Sequence, residues 1–324
     1  MLRIPYQATN FGHHWGSALA GNKTLEITWE EVVWSAITMG KPGATFLFGH
    51  GWHSASDLVV RAHTVFANLQ QTSWYLTKSS LYNSLDPTEK GATSYFIGMM
   101  AAKIVGLRLL DTPWLFHLSM LVDLGGKPIL VGKSQPDLIG INGRRDWIVA
   151  EAKGRTEGYS ARTMISAKKQ TKKLRRINGD FPALRIAVQS FFATSLTFAL
   201  EDPEEFEKDA KDLTFDENDA FKKYYDFTRM IPRDKGAIRT ALGRVFYFHA
   251  LGDSGISVGI VREVAEISAS TVSFRDVTKA LGDLTPGRDE EKGISVFTDG
   301  IAVALDERWS STQMQKDPRS RQPG

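Results

Sequence analysis

Residues 135–153 read Gln135-Pro136-Asp137-Leu138-Ile139-Gly140-Ile141-Asn142-Gly143-Arg144-Arg145-Asp146-Trp147-Ile148-Val149-Ala150-Glu151-Ala152-Lys153. Two β-rich runs flank Asn142-Gly143, a pair that tolerates positive φ and signals a tight hairpin turn. The pattern predicts one strand over Pro136–Ile141 and a second over Asp146–Lys153. Pro136 can open a strand but not occupy its middle, which places Asp137 at a strand end. Side chains alternate along a strand, so Glu151 and Lys153 share a face with Trp147 and Val149, and Ala152 points the other way. A glutamate in an apolar row is unusual for a merely solvated edge.

Two carboxylates and an ammonium on adjacent strands form a hard-oxygen cation site with a positive charge beside it. Mg²⁺ is commonly held by one or two carboxylates, several waters and a substrate phosphate. Asp137 and Glu151 supply the carboxylates, and the Ala152 carbonyl offers a third oxygen. Lys153 is placed to orient or deprotonate an attacking water, or to stabilise a pentacovalent phosphorus. The competing reading makes Glu151 and Lys153 a surface pair and Asp137 a turn residue.

Pro136-Asp137 followed by Glu151-Ala152-Lys153 resembles the signature of the PD-(D/E)xK nuclease superfamily, over about residues 86–193. The resemblance implies an α/β (α+β) fold with a restriction-endonuclease-like core. That core is a central mixed sheet flanked by helices, here carrying N- and C-terminal additions. It also implies Mg²⁺ or Mn²⁺ as cofactor, and a further acid on the helix before the hairpin. Glu89 is the best candidate. Asp86-Pro87-Thr88-Glu89 opens a helix with Asp at N-cap and Glu at N3, and Glu89, Thr93, Phe96 and Met100 line one stripe. A Glu at N3 is explained equally well as a cap. Glu30 and Glu31 are weaker substitutes. In some members a Gln on the helix after the hairpin shapes the site, and Gln170 is placed for it.

That following helix is expected over Ser160–Ile177, with Met164, Ala167, Thr171 and Leu174 as its apolar stripe. Arg155, Lys168, Lys169, Lys172 and Lys173 would meet phosphates, which dominate nucleic-acid affinity. A strand over Leu184–Phe191 should follow, and another is expected near Pro128–Lys133.

The chain has 324 residues, a net charge of +3 and no cysteine. No disulfide framework or thiolate chemistry is therefore available, in keeping with a cytoplasmic location. The start, Met1-Leu2-Arg3-Ile4-Pro5, lacks a signal-peptide layout. The apolar stretch Phe96–Val122 is interrupted by Lys103, Arg108 and Asp111, so no membrane partner is expected. An acidic run, Glu201–Asp219, reads as a solvated linker.

These features divide the chain into an aromatic-rich helical region (1–85), a nuclease core (86–200), a C-terminal α/β region (201–310) and a disordered tail (311–324). Helices are expected at Trp29–Ile37, Ala55–Leu69, Asn218–Met230, Ala237–Phe246 and Phe274–Leu281. Strands are expected at Gly255–Val261, Gly293–Phe297 and Ile301–Leu305.

Two other constellations compete. His13, His14, His50 and His53 offer transition-metal ligands, but without a neighbouring Cys or paired Asp. Gly252-Asp253-Ser254-Gly255 echoes a serine-protease motif, with His63 earlier in the chain, though in a helical run rather than a loop. The expected function is metal-dependent hydrolysis of DNA, more than RNA, in restriction or phage defence, with a homodimer or a defence-system protein as partner. The alternative is a non-catalytic nucleic-acid-binding or assembly protein that keeps the nuclease fold.

Overall fold

The computed structural model describes residues 1–12, 19–39, 52–126, 135–202, 205–230, 237–267 and 272–309. The expected strand at Pro128–Lys133, His13, His14, His50 and the 311–324 tail lie outside them.

Among the described residues eleven strands precede residue 214: β1 (Leu2–Thr9), β2 (Gly21–Ile27), β3 (Leu69–Thr72), β4 (Tyr75–Lys78), β5 (Trp114–His117), β6 (Leu138–Ile141), β7 (Trp147–Gly154), β8 (Leu174–Ile177), β9 (Leu184–Phe192), β10 (Leu196–Glu201) and β11 (Lys211–Leu213). All but β8 and β11 join one mixed sheet, ordered β3-β4-β1-β10-β9-β7-β6-β5, with β2 on β1. β7 pairs with β9, and β1 with β10, in parallel, while β5-β6-β7 is antiparallel. The protein is thus mixed α/β, with a mixed central sheet between helices. Residues 1–85 are not a separate helical region: β1 to β4 extend the sheet that carries Asp137 and Glu151.

The hairpin forms with a different turn. Ile141 pairs with Trp147, and the positive φ falls on Arg145, at 68°, rather than on Asn142 or Gly143. The Arg145 amide donates to the Asn142 carbonyl at 3.0 Å, and the Asn142 side-chain oxygen accepts from the amides of Arg144 and Asp146, each at 2.9 Å. This is a wider loop built on one turn with a left-handed exit. Asn142 serves as its hydrogen-bond hub.

Helices cover both faces of this sheet: α1 (Trp29–Thr38), α2 (Trp52–Asn68), α3 (Pro87–Leu110) and α4 (Ala161–Thr171). α3 opens as expected, with the Asp86 carboxylate capping the amides of Thr88 and Glu89. Its approach to β7 is set by glycines. A Cβ on Gly154 would lie 1.6 Å from the Ser94 carbonyl oxygen, and one on Gly98 would lie 2.6 Å from the Gly154 nitrogen. Helix and strand backbones therefore touch, beside the small side chains of Ala150 and Ala152. By length and composition α3 could cross a membrane, yet most of it is buried against the sheet. α4 lies on the opposite face, where Met164 and Ala167 pack on Ala187 and Ala199. Ala187 is the register partner of Glu151, so α4 covers the glutamate side.

The basic helix is shorter than expected. It ends at Thr171, and Leu174–Ile177 is strand β8, paired in parallel with β11. The acidic run is not a free linker either, since β11 lies inside it.

After α5 (Glu217–Tyr224), a second sheet is wholly antiparallel, ordered β12 (Ile238–Ala241), β13 (Arg244–Ala250), β14 (Ile256–Val261), β17 (Ile301–Leu305), β16 (Ile294–Val296), β15 (Gly287–Asp289). The helix expected at Ala237–Phe246 is instead the β12–β13 hairpin. Leu242 and Gly243 both have positive φ, the signature of a two-residue hairpin turn. α6 (Phe274–Leu281) forms where expected.

One apolar core runs through both sheets, and α1 packs against α3 and β17 alike. At that junction Lys103 of α3 is fully buried and donates to the Pro113 carbonyl and to the Tyr224 hydroxyl, the latter at 2.7 Å. Tyr224 donates to the Asp299 carboxylate at 2.6 Å, as does the Trp34 indole at 3.0 Å. Burial pulls the Lys103 ammonium down to about 7 and pushes the Asp299 carboxyl up. The boundary expected near Glu201 is therefore bridged by a buried polar network.

Candidate active site

Asp137, Glu151 and Lys153 meet at one end of the β6–β7 hairpin. The Asp137 amide donates to Glu151 Oε2 at 2.9 Å, and Asp137 Oδ2 accepts the Ala152 amide at 3.1 Å. Lys153 donates its ammonium to Glu151 Oε1. The segment leading into β6 and strand β7 thus each fix the other's carboxylate. In an extended chain a residue's N–H and C=O face the same neighbour, so the Ala152 carbonyl also turns toward Asp137.

Glu151 is completely buried while Lys153 stays partly open to solvent. Burial raises the Glu151 carboxyl to about 8; the Asp137 charge adds to this and Lys153 opposes it. The half-buried Asp137 carboxylate beside the fully buried Glu151 disfavours a second negative charge there.

A cation fits here on the chemistry of the donors. Asp137, Glu151 and the Ala152 carbonyl present hard oxygens, the set that Mg²⁺ or Mn²⁺ takes with water and phosphate. Among the described residues no group of three or more His, Asp or Glu side chains could hold a metal ion. The carboxylates brought together here are the two of Asp137 and Glu151.

Glu89 is not among them. It is exposed, its carboxylate accepts the Asp86 amide at 3.1 Å, and it completes a capping box. Glu31 caps α1 and sits beside Arg108, and Glu30 pairs with Arg288, so neither joins the site. Gln170 does reach it indirectly: its amide donates to the Gln135 carbonyl at 3.0 Å, tying α4 to the segment that delivers Asp137.

Two of the five cations expected to meet phosphate are engaged with acidic side chains. Lys168 pairs with Glu201 at 2.7 Å, and Lys173 with Glu207. Arg175 grips Asp212 with two hydrogen bonds, at 2.7 and 2.6 Å. The acidic run thus pairs with Lys168, Lys173 and Arg175 of the basic one. Lys169 and Lys172 make no ion pair among the described residues. Arg155 is half-buried, and its Nε has no hydrogen-bond partner, as is true of the Ser190 hydroxyl. The Arg155 amide bonds the Ser190 carbonyl at 2.9 Å, so both unmet groups lie just past Lys153.

Sequence reasoning missed three neighbours. Tyr95 of α3 is exposed; burial of part of its ring and the charges of Asp137 and Glu151 raise its phenol, while Arg61 opposes them. His117 ends β5 opposite Leu138; burial lowers its imidazole, against the pull of Asp137. Arg61 extends from α2, pairs with Asp57 at 2.8 Å and lies over the Phe96 ring. The missed signal was Ser94, Gly98, Ala101 and Ala102, small residues at helical spacing that turn α3 toward β7.

The protease arrangement is absent. Ser254 sits in the β13–β14 turn, where its hydroxyl accepts the Ile256 amide at 3.2 Å. His63 bonds the Ser254 backbone rather than its hydroxyl, and packs on Trp309 and Phe66. Comparison of the chain with protein-family models, curated proteins and solved structures finds no match.

Proposed function

We propose that this protein is a metal-dependent phosphodiesterase of the PD-(D/E)xK type with a restriction-endonuclease-like core, acting on DNA in preference to RNA. The observation that carries this reading is the interlocked pair Asp137 and Glu151, with Lys153 beside them at the open end of the hairpin. Asp137, Glu151 and the Ala152 carbonyl would hold Mg²⁺ or Mn²⁺, which when bound acidifies water and offsets charge on phosphate. Lys153 would orient the attacking water and meet charge growing on the phosphoryl oxygens. Gln170 acts by holding the Gln135–Asp137 segment, as a positioning residue. Arg155, Lys169 and Lys172 are the cations best placed for the nucleic-acid backbone.

A role in restriction or phage defence, a cytoplasmic location and a homodimeric or defence-protein partner belong to the same proposal, by analogy with the superfamily. Plasmid DNA incubated with the full chain and Mg²⁺ or Mn²⁺, against an EDTA control, tests it: cation-dependent loss of supercoiled DNA is expected.

A second reading, a non-catalytic nucleic-acid-binding or assembly protein, is favoured by one observation: Glu89, the candidate upstream acid, is taken up as a helix cap. DNA binding without cleavage under every cation would favour it.

A further inference from the structure

Away from the candidate active site, a cleft of about 1000 Å³ lies between the two sheets. It is lined by β1 and β2 on one side and by β15 and β16 on the other, with the end of α3 as its floor. That volume is at the upper end of small-molecule sites. Three guanidinium groups enter it from three elements: Arg3, Arg108 and Arg288. Each is tethered by part of its fork only. Arg3 uses Nε on Glu26, Arg108 uses Nη1 on Glu31 and Nη2 on the Glu26 carbonyl, and Arg288 uses Nη1 on Glu30 and Nε on Glu290. A guanidinium has five N–H donors, so each keeps donors for a ligand while its carboxylate partners fix its direction.

The second observation is independent of these charges. Ser295 and Thr298 line the same cleft, and the hydroxyl of each is buried with no hydrogen-bond partner. Ser295 is only 4% exposed. It stands directly opposite Arg288 in the β15–β16 ladder, so both side chains leave the same face. Unmet buried hydroxyls are costly in a native protein and point to a missing partner. At the rim, Tyr75 is exposed beside Trp74, and Arg3 lies over the Trp74 ring at 5.8 Å.

Guanidinium forks suit phosphate, and exposed aromatics with a stacked arginine suit a nucleobase. The hydroxyls and the Glu26 and Glu31 carboxylates offer acceptors to a sugar or a base edge. We infer that this cleft is a binding site for a nucleotide, with its phosphate on Arg108 and Arg288 and its base toward Tyr75. A peptide would need apolar side-chain pockets, and an inorganic anion would leave the Tyr75 rim and the hydroxyls unused. The inference stands whether or not the protein cleaves DNA.

The test is calorimetric titration of the full chain with AMP, GMP, CMP and UMP, in EDTA so that the metal site is silent. Guanosine and inorganic phosphate serve as part-ligand probes. At least one monophosphate should bind more tightly than both part-ligands. Arg108→Gln should weaken that binding about tenfold or more, the scale of a charge-assisted hydrogen bond. Ser295→Ala should weaken binding several-fold while raising the melting temperature of the free protein, because it removes an unmet polar group. A purely structural serine would not give that split, and this variant keeps the test open if Arg108→Gln fails to fold. Three results would overturn the inference: no monophosphate binding up to about 10 mM, beyond the ~1 mM range of weak ligands; affinity unchanged in both variants; or inorganic phosphate binding as tightly as the nucleotides.

Discussion

Asp137 and Glu151 hold each other through the backbone: the Asp137 amide bonds the Glu151 carboxylate, and the Asp137 carboxylate bonds the amide next to Glu151. If the fully buried Glu151 side chain rotated away, the Asp137 amide would lose its partner. Such a fixed pair suits a cation, because ligands held in place lose little freedom on binding.

The first prediction concerns proton release. The Glu151 carboxyl is raised to about 8, so below that pH a cation must displace a proton to use it. Mn²⁺ affinity should rise with pH up to about 8 and then level. Titrations in two buffers of different ionisation enthalpy should show proton release at pH 7 and little at pH 9. Equal release at both would remove Glu151 from the ligand set.

The same shift sets a stability slope with a definite sign. Between the ordinary value of 4.5 and about 8, folded Glu151 keeps a proton that the unfolded chain has lost. Its contribution to stability therefore falls as pH rises through that window, by roughly 1.4 kcal/mol per unit at most. Glu151→Gln removes the effect. Urea midpoints at pH 5 and pH 8 in EDTA should converge for this variant relative to wild type.

Ligand and non-ligand roles separate by substitution. Asp137→Ala and Glu151→Ala should both abolish cleavage and weaken Mn²⁺ binding. Lys153→Ala should abolish cleavage with metal binding nearly intact. Equal loss of metal binding in all three would contradict the roles assigned. Glu89→Ala should lower stability slightly, by removing the N3 half of the capping box, and leave cleavage in place.

The salt dependence of DNA binding tests the basic segment. Charge reversal at Lys169 and Lys172, which have no acidic partner among the described residues, should flatten the slope of log affinity against log salt. Reversal at Lys173 should act mainly on stability, because it would face Glu207 and Asp209.

At the junction of the sheets, Lys103→Met should destabilise the protein by about 3–5 kcal/mol, since Asp299 would be left buried without its cation. Adding Asp299→Asn should recover much of this in a chemical-denaturation cycle.

Alternation along a strand was enough to bring Glu151 and Lys153 to one face, and Pro136 was enough to put Asp137 close to a strand end, although the strand begins at Leu138, so that Asp137 is a bend residue just before it. Those are local rules, and they held. The Asp86 cap and the start of α3 were legible for the same reason. The turn was misread because Asn142 can either adopt positive φ or act as a side-chain acceptor, and here it does the second. Leu174–Ile177 continued a helical pattern on paper, but its β11 partner lies some forty residues on, beyond any local signal. The joining of β1 to β10 and the linking of buried Lys103 to Asp299 through Tyr224 are likewise products of long-range pairing, invisible to a window of sequence.

The most direct measurement is the rate of plasmid nicking in Mn²⁺ by wild type, Glu151→Gln and Glu89→Ala, each confirmed as folded. Cleavage by wild type and Glu89→Ala but not by Glu151→Gln is the result expected. Cleavage by Glu151→Gln at the wild-type rate would contradict the account, and the site would have to lie elsewhere.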